Sequence, residues 1–162
     1  PALLAGMEAV DQTEKVHLLE STHTLVQHTH NHPHTLAAAR NLTNILIALD
    51  KQNDIRNTLQ ELNLSEVPLK SIKKWEHLSD RKVVGDTLST ACYLPESFTA
   101  SLYFAWKYFD DFSLAVLANA KVGGDNCHRG VVVGSIVAMQ TGIPDKWLRD
   151  LKCMDELRCD NS

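Results

Sequence analysis

Between residues 11 and 29, apolar side chains fall at Val16, Leu19 and Val26, with His23 on the same stripe and Leu18 and Leu25 widening it. Steps of three and four residues place these on one side of a helix. Asp11 stands where an N-cap belongs. The helix is predicted to stop before Pro33, because the residue ahead of a proline is pushed out of the α region. His23, among apolar neighbours, is expected to be a hydrogen-bonded core histidine. A second helix starts near Pro33 or His34, since proline suits a first helical turn. Leu36, Ala39, Thr43, Leu46 and Ile47 share its apolar side, and Leu42, Ile45 and Leu49 extend it. So wide a face predicts burial between other helices. Asn53 and Asp54 open a shorter helix that runs through Leu62.

Residues 63 to 95 are less regular. Val67-Pro68-Leu69 marks a break, a short helix is expected from about 69 to 77, and Val83-Val84-Gly85 is too short to make a strand. Pro95-Glu96 begins a helix with Phe98, Leu102, Ala105, Trp106 and Phe109 on one face. Asp110 and Asp111 cap the next, from 112 to about 121. Gly123-Gly124 is a sharp stop, because glycine reaches backbone conformations closed to other residues. Asp125 or Asn126 then caps a helix that is apolar nearly all round, through Val131, Val132, Val133, Ile136, Val137, Ala138 and Met139. A helix of that kind is expected at the centre of the core. Gly142-Ile143-Pro144 ends it and starts a last short helix carrying Trp147 and Leu148. Residues 152 to 162 read as a polar tail. The pattern predicts an all-α protein with six or more helices. Residues 1 to 162 form one domain or one part of a domain.

Composition changes this picture little. Apolar residues make up 44% and charged residues 22% of the 162, which is globular rather than disordered. The net charge of −4 argues against a broad nucleic-acid surface, which needs clustered Lys and Arg. No apolar run is long enough to cross a bilayer. The first seven residues lack the basic region of a secretory leader. They also lack an initiator Met, which suggests a fragment or processed product. Cys92, Cys127, Cys153 and Cys159 have no framework spacing and form no CxxC pair, so a reducing, cytoplasmic setting is expected and no structural zinc site.

The chemistry concentrates in Gly123-Gly124-Asp125-Asn126-Cys127-His128-Arg129-Gly130. Two glycines allow a tight turn and a close approach of backbone to ligand. The carboxylate that follows has two readings. It can cap the helix, or it can serve as an oxygen ligand for a hard cation such as magnesium. The residues leave both open.

Several stretches follow one another in an order that resembles a known family. They are Leu94-Pro95-Glu96-Ser97-Phe98, the helix start Asp110-Asp111-Phe112, Gly123-Gly124-Asp125, the apolar helix, and Gly142-Ile143-Pro144-Asp145-Lys146-Trp147, with His28 to Ala39 upstream. Together they resemble the C-terminal half of the ADP-ribosylglycohydrolases. The resemblance implies an all-α orthogonal bundle, apparently incomplete at its N-terminus. It also implies hydrolysis at the anomeric carbon of ADP-ribosylated proteins or small molecules, and two magnesium ions in a central cleft. Carried over residue by residue, the first aspartate of the family's C-terminal motif falls on Asp125. The second falls on Cys127 and the following hydroxyl ligand on His128. Asp125, Cys127 and His128 are thus the candidate metal ligands. Gly123, Gly124, Asn126 and Arg129 are the candidate substrate contacts, and no catalytic residue is singled out. A thiol is a soft ligand, poor for magnesium and better for zinc. The family's N-terminal acidic motif does not occur in these 162 residues. Because the family includes a lens-crystallin branch of the J1 type, a structural or binding protein that retains the fold is the alternative to a hydrolase.

The histidines of Gln27-His28-Thr29-His30-Asn31-His32-Pro33-His34 could hold a metal such as zinc, or simply join two helices. Asp86 and Thr87 are expected to cap the segment after them, and Ser89 and Ser97 have no base that would make either a nucleophile. Trp75, Trp106 and Trp147 suit helix packing.

Overall fold

A computed structural model describes residues 12–52, 54–62 and 64–151. Among them the chain forms nine helices: α1 (Gln12–Thr29), α2 (Pro33–Gln52), α3 (Ile55–Glu61), α4 (Leu69–Trp75), α5 (Asp80–Val83), α6 (Glu96–Lys107), α7 (Phe112–Val122), α8 (Asn126–Thr141) and α9 (Asp145–Arg149). The described residues contain no strand, only an isolated bridge between Val84 and Leu88. No helix among them is long and apolar enough to cross a membrane. The expected N-cap at Asp11, the polar tail, Cys153 and Cys159 lie outside the described residues.

α6 is the centre of the molecule. Every residue from Phe98 to Trp106 is buried. It packs against α8, α4, α7 and α3. Burying a large apolar side chain contributes about 1.5–3 kcal/mol, so α6 anchors the elements around it. Phe109, expected on the same helical face, lies past the C-terminus of α6 and stacks under the Arg56 guanidinium, 4.1 Å from its ring centre. α2 is the second inner helix, with Ile45, Leu46, Ile47 and Leu49 buried. It packs against α1, α8 and α3. Helix starts follow the sequence. Asp54 accepts a hydrogen bond from Asn57 N at 2.9 Å, and Asp111 accepts one from Leu114 N at 2.8 Å. Each side chain thereby meets a backbone donor left over at a helix N-terminus.

Three expectations change. α8 is not buried all round: Val131 is 69% exposed, and its buried positions are Arg129, Val133, Ile136 and Val137. The helix lies against α6, α7 and α2 and turns its other face outward. α1 is an outer helix packed on α2. Val16 and Leu25 are exposed, and His23 is half-buried rather than a core residue. Asp86 and Thr87 cap no helix. They sit in the turn after α5, where Thr87 Oγ1 donates to Lys82 O at 3.1 Å. The tryptophans pack as expected. Trp106 is in the core, Trp75 packs against it, and Trp147 stands edge-on to Phe112.

A polar network ties α5 to α6. Asp80 accepts hydrogen bonds from Lys107 Nζ at 2.8 Å, Tyr103 OH at 2.9 Å and Tyr108 OH at 2.7 Å. Burial pushes the Asp80 carboxyl up, but these donors outweigh it and hold the group below its ordinary value. Burial and the Asp80 carboxylate push both tyrosines well above theirs.

Candidate functional site

The turn between α7 and α8 is built by its two glycines. Gly123 has φ 79° and Gly124 has φ 64°, the left-handed region that an L side chain enters only at a cost. Gly124 also presses against Thr90, where a Cβ would lie 2.5 Å from the threonine Cβ. Asp125 N donates to Thr90 O at 2.9 Å. The loop that leads into α6 is therefore strapped to the start of α8.

Asp125 occupies the N-cap position of α8, yet its side chain makes no capping hydrogen bond. Oδ1 lies 2.5 Å from His128 Nδ1 instead, and Cys92 lines the same cleft as the carboxylate. The capping reading of this residue gives way to a carboxylate turned toward its neighbours. The hydrogen bond from His128, opposed by burial and then aided by Cys92 and by the charges of His128 and Arg129, holds Asp125 below its ordinary value. Its side chain is 26% exposed, and that of His128 is 81% exposed.

These groups open onto a cleft of about 700 Å³, within the roughly 300–1,000 Å³ span of small-molecule sites. Five parts of the chain form its walls: the end of α1, the histidine connection with α2, the 92–94 loop, the start of α6 and the first turns of α8. Ala38, Leu42, Phe98 and Val132 supply an apolar wall. Asp125, His128, His30, His32 and Cys92 supply polar groups. Tyr93, 73% exposed, stands at the cleft beside Cys92. An apolar wall with a few polar groups facing it is the common form of a small-molecule site.

The structure places the expected residues in different roles. Asp125 and His128 are together and in the cleft. Cys127 is exposed and not part of the cleft lining. Gly123 and Gly124 shape the turn, and the Asn126 side chain donates to Gly124 O at 3.2 Å. Arg129 is only 2% exposed. Its Nε donates to Asn119 Oδ1 at 3.0 Å, Nη1 to Thr90 O at 2.8 Å and Nη2 to Gly123 O at 2.6 Å. Burial pulls its pKa down and the Asp125 carboxylate pulls it back up. The histidine tract divides. His30 and His32 face the cleft, whereas His34 pairs with Glu66 at 2.8 Å across the α2 start. Ser97 Oγ donates to Cys92 O at 3.0 Å, and Ser89 Oγ accepts from Ala91 N. Cys92, Tyr93, Thr90 and Asn119 are site residues that sequence reasoning missed. The irregular stretch just ahead of Leu94-Pro95 was the available signal for the first three.

Among the described residues, no group of three or more His, Cys, Asp or Glu side chains could hold a metal ion. The first turn of α8 offers one carboxylate, already bonded to an imidazole, then a thiol that faces elsewhere. Magnesium takes six oxygen ligands in near-octahedral order, and this donor set does not fit it. Zinc suits imidazole and thiolate, but His128 and Cys127 do not converge with the histidine tract on one point.

A family model described as ADP-ribosylglycohydrolase matches residues 2–160. No curated protein and no solved structure matches the chain. With the all-α bundle in place and the Gly123-Gly124-Asp125 turn opening on a cleft, the match covers nearly the whole sequence, and the chain belongs to the ADP-ribosylglycohydrolase family.

Proposed function

We infer that the cleft receives an ADP-ribosyl group, and that the protein acts as a hydrolase on the glycosidic bond linking this group to a protein or small molecule. The observation that carries the reading is the Asp125–His128 pair facing the cleft from the family's own Gly-Gly-Asp turn. In the reaction, water adds to the anomeric carbon, the bond to the acceptor breaks, and the acceptor leaves with a proton. Asp125 can accept a ribose hydroxyl or orient the water, with His128 fixing the carboxylate. The apolar wall suits a base and excludes water. Positioning of this kind is a large part of what a hydrolytic site contributes. In this reading, further acidic groups of the site come from sequence outside these 162 residues, and the chain alone is inactive. The test is release of ADP-ribose by the complete protein from several ADP-ribosylated substrates, with and without magnesium. Turnover in either condition supports the reading, and none in both counts against it.

A second reading is a binding or structural protein that keeps the fold. It is favoured by Cys127, which replaces a carboxylate and faces away from the cleft. ADP-ribose binding without turnover by the complete protein distinguishes it.

A further inference from the structure

Arg129 breaks the pattern of its helix. A guanidinium that is 2% exposed is destabilising unless its donors are met. Here the three acceptors are neutral: the Asn119 side chain and the carbonyls of Thr90 and Gly123. Two carbonyl dipoles aimed at one positive group make a cation-holding cradle. Asp125 N and Arg129 Nη1 share the Thr90 carbonyl, at 2.9 and 2.8 Å, so the Asp125 charge acts on the group, and both residues form part of the cleft. Guanidinium carries five N–H donors, so Nη1 and Nη2 each keep one beyond these bonds. The cradle joins the end of α7 and the glycine turn to Thr90 of the 89–94 loop, 39 residues from Arg129 in sequence, so its geometry is fixed by the fold. A divalent ion at Asp125 would add two positive charges beside one that cannot leave. Their repulsion grows as the surroundings lose water.

We propose that Arg129 is the resident cation of this cleft: its guanidinium, clamped beneath the Gly123–Asp125 turn, supplies the fixed positive charge beside Asp125 and keeps a divalent ion out. The donor set that does not fit magnesium and the buried guanidinium are two sides of one arrangement. The cleft then takes an anionic ligand without a metal. By the reading above, that ligand is the ADP-ribosyl group, whose pyrophosphate carries the negative charge. This last step rests on that reading. Exclusion of the divalent ion does not.

The test is a titration of the full chain with Mn²⁺, followed by electron paramagnetic resonance of the free ion. Wild type and Asp125→Asn are expected to behave alike, with no Asp125-dependent binding at millimolar Mn²⁺. Arg129→Met removes the charge at similar volume and is expected to bind Mn²⁺ at Asp125 at least about tenfold more tightly. Arg129→Lys keeps the charge and stays with wild type. A merely structural arginine predicts no gain of metal affinity. One Mn²⁺ bound by wild type and lost in Asp125→Asn overturns the proposal. If circular dichroism shows Arg129→Met unfolded, Arg129→Gln, which also removes the charge, takes its place in the same titration and is judged by the same outcomes. In parallel, calorimetry measures ADP-ribose binding in EDTA and in excess magnesium. Equal affinity supports the proposal, and affinity only with magnesium overturns it. No binding in either defeats the ADP-ribosyl reading and leaves the Mn²⁺ titration to judge Arg129.

Discussion

Gly124→Ala strikes the place where the α7–α8 turn presses against the Thr90 loop. Three contributions add. At φ 64°, a residue with a Cβ costs about 1–2 kcal/mol. The new Cβ lies 2.5 Å from Thr90 Cβ and 2.9 Å from Thr90 Oγ1, and closer still to the Thr90 carbonyl oxygen. That oxygen is backbone and cannot rotate away, so the 89–94 loop must shift. The same carbonyl accepts from Asp125 N at 2.9 Å and from Arg129 Nη1 at 2.8 Å. Losing the first costs about 0.5–1.5 kcal/mol and the second, from a charged donor, about 1.5–3 kcal/mol. Partial relaxation leaves an expected loss of about 3–5 kcal/mol. Urea unfolding followed by circular dichroism measures it as a lower midpoint at unchanged slope. ADP-ribose affinity falls with it, because Asp125 moves with the loop. A loss below about 1 kcal/mol would refute the reasoning, since the left-handed backbone alone should cost that much.

Other substitutions separate packing from charge. Gly134→Ala places its Cβ no closer than 3.9 Å, to Phe112 Cε2, so replacing a helical glycine there should stabilise the protein by about 0.5–1 kcal/mol, read as a raised melting temperature. Asp80→Asn removes the charge that holds Lys107, Tyr103 and Tyr108 and leaves a mostly buried ammonium, for an expected loss of about 2–4 kcal/mol in denaturant unfolding. Because the folded Asp80 pKa lies below its unfolded value near 3.8, its contribution is complete above that value. It is lost as pH falls through the folded pKa. Acid titration of stability should be shallower in Asp80→Asn below pH of about 4. Cys127→Ser, at an exposed thiol outside the cleft, should change stability by no more than about 0.5 kcal/mol in thermal melts and leave ADP-ribose affinity unchanged.

The helices were legible because their signals are local. Asp54 and Asp111 cap as their positions require, and Pro33 and Pro95 open α2 and α6. The glycines at 123 and 142 end α7 and α8 with positive φ. What sequence could not give depends on which side of a helix meets a neighbour. α8 carries apolar residues on most of its circumference, so periodicity could not pick its inner face. The structure buries Arg129 and exposes Val131, the reverse of what polarity suggests, because carbonyls from two distant turns converge on the guanidinium. Asp125 shows the same limit. Its position marks a cap, while its carboxylate is paired with His128 and its backbone N–H is taken by Thr90 O of a distant loop. Cys92 and Tyr93 joined the site through that loop, and His30 and His32 through the packing of α1 on α2.

Calorimetric titration of ADP-ribose into the chain is the most direct test of the cleft. The account predicts saturable one-to-one binding in wild type, weakened by at least about tenfold in Asp125→Asn, with ADP-ribose resonances broadened by contact with protein. Absence of saturable binding to the folded wild-type chain, or equal binding by Asp125→Asn, would contradict it.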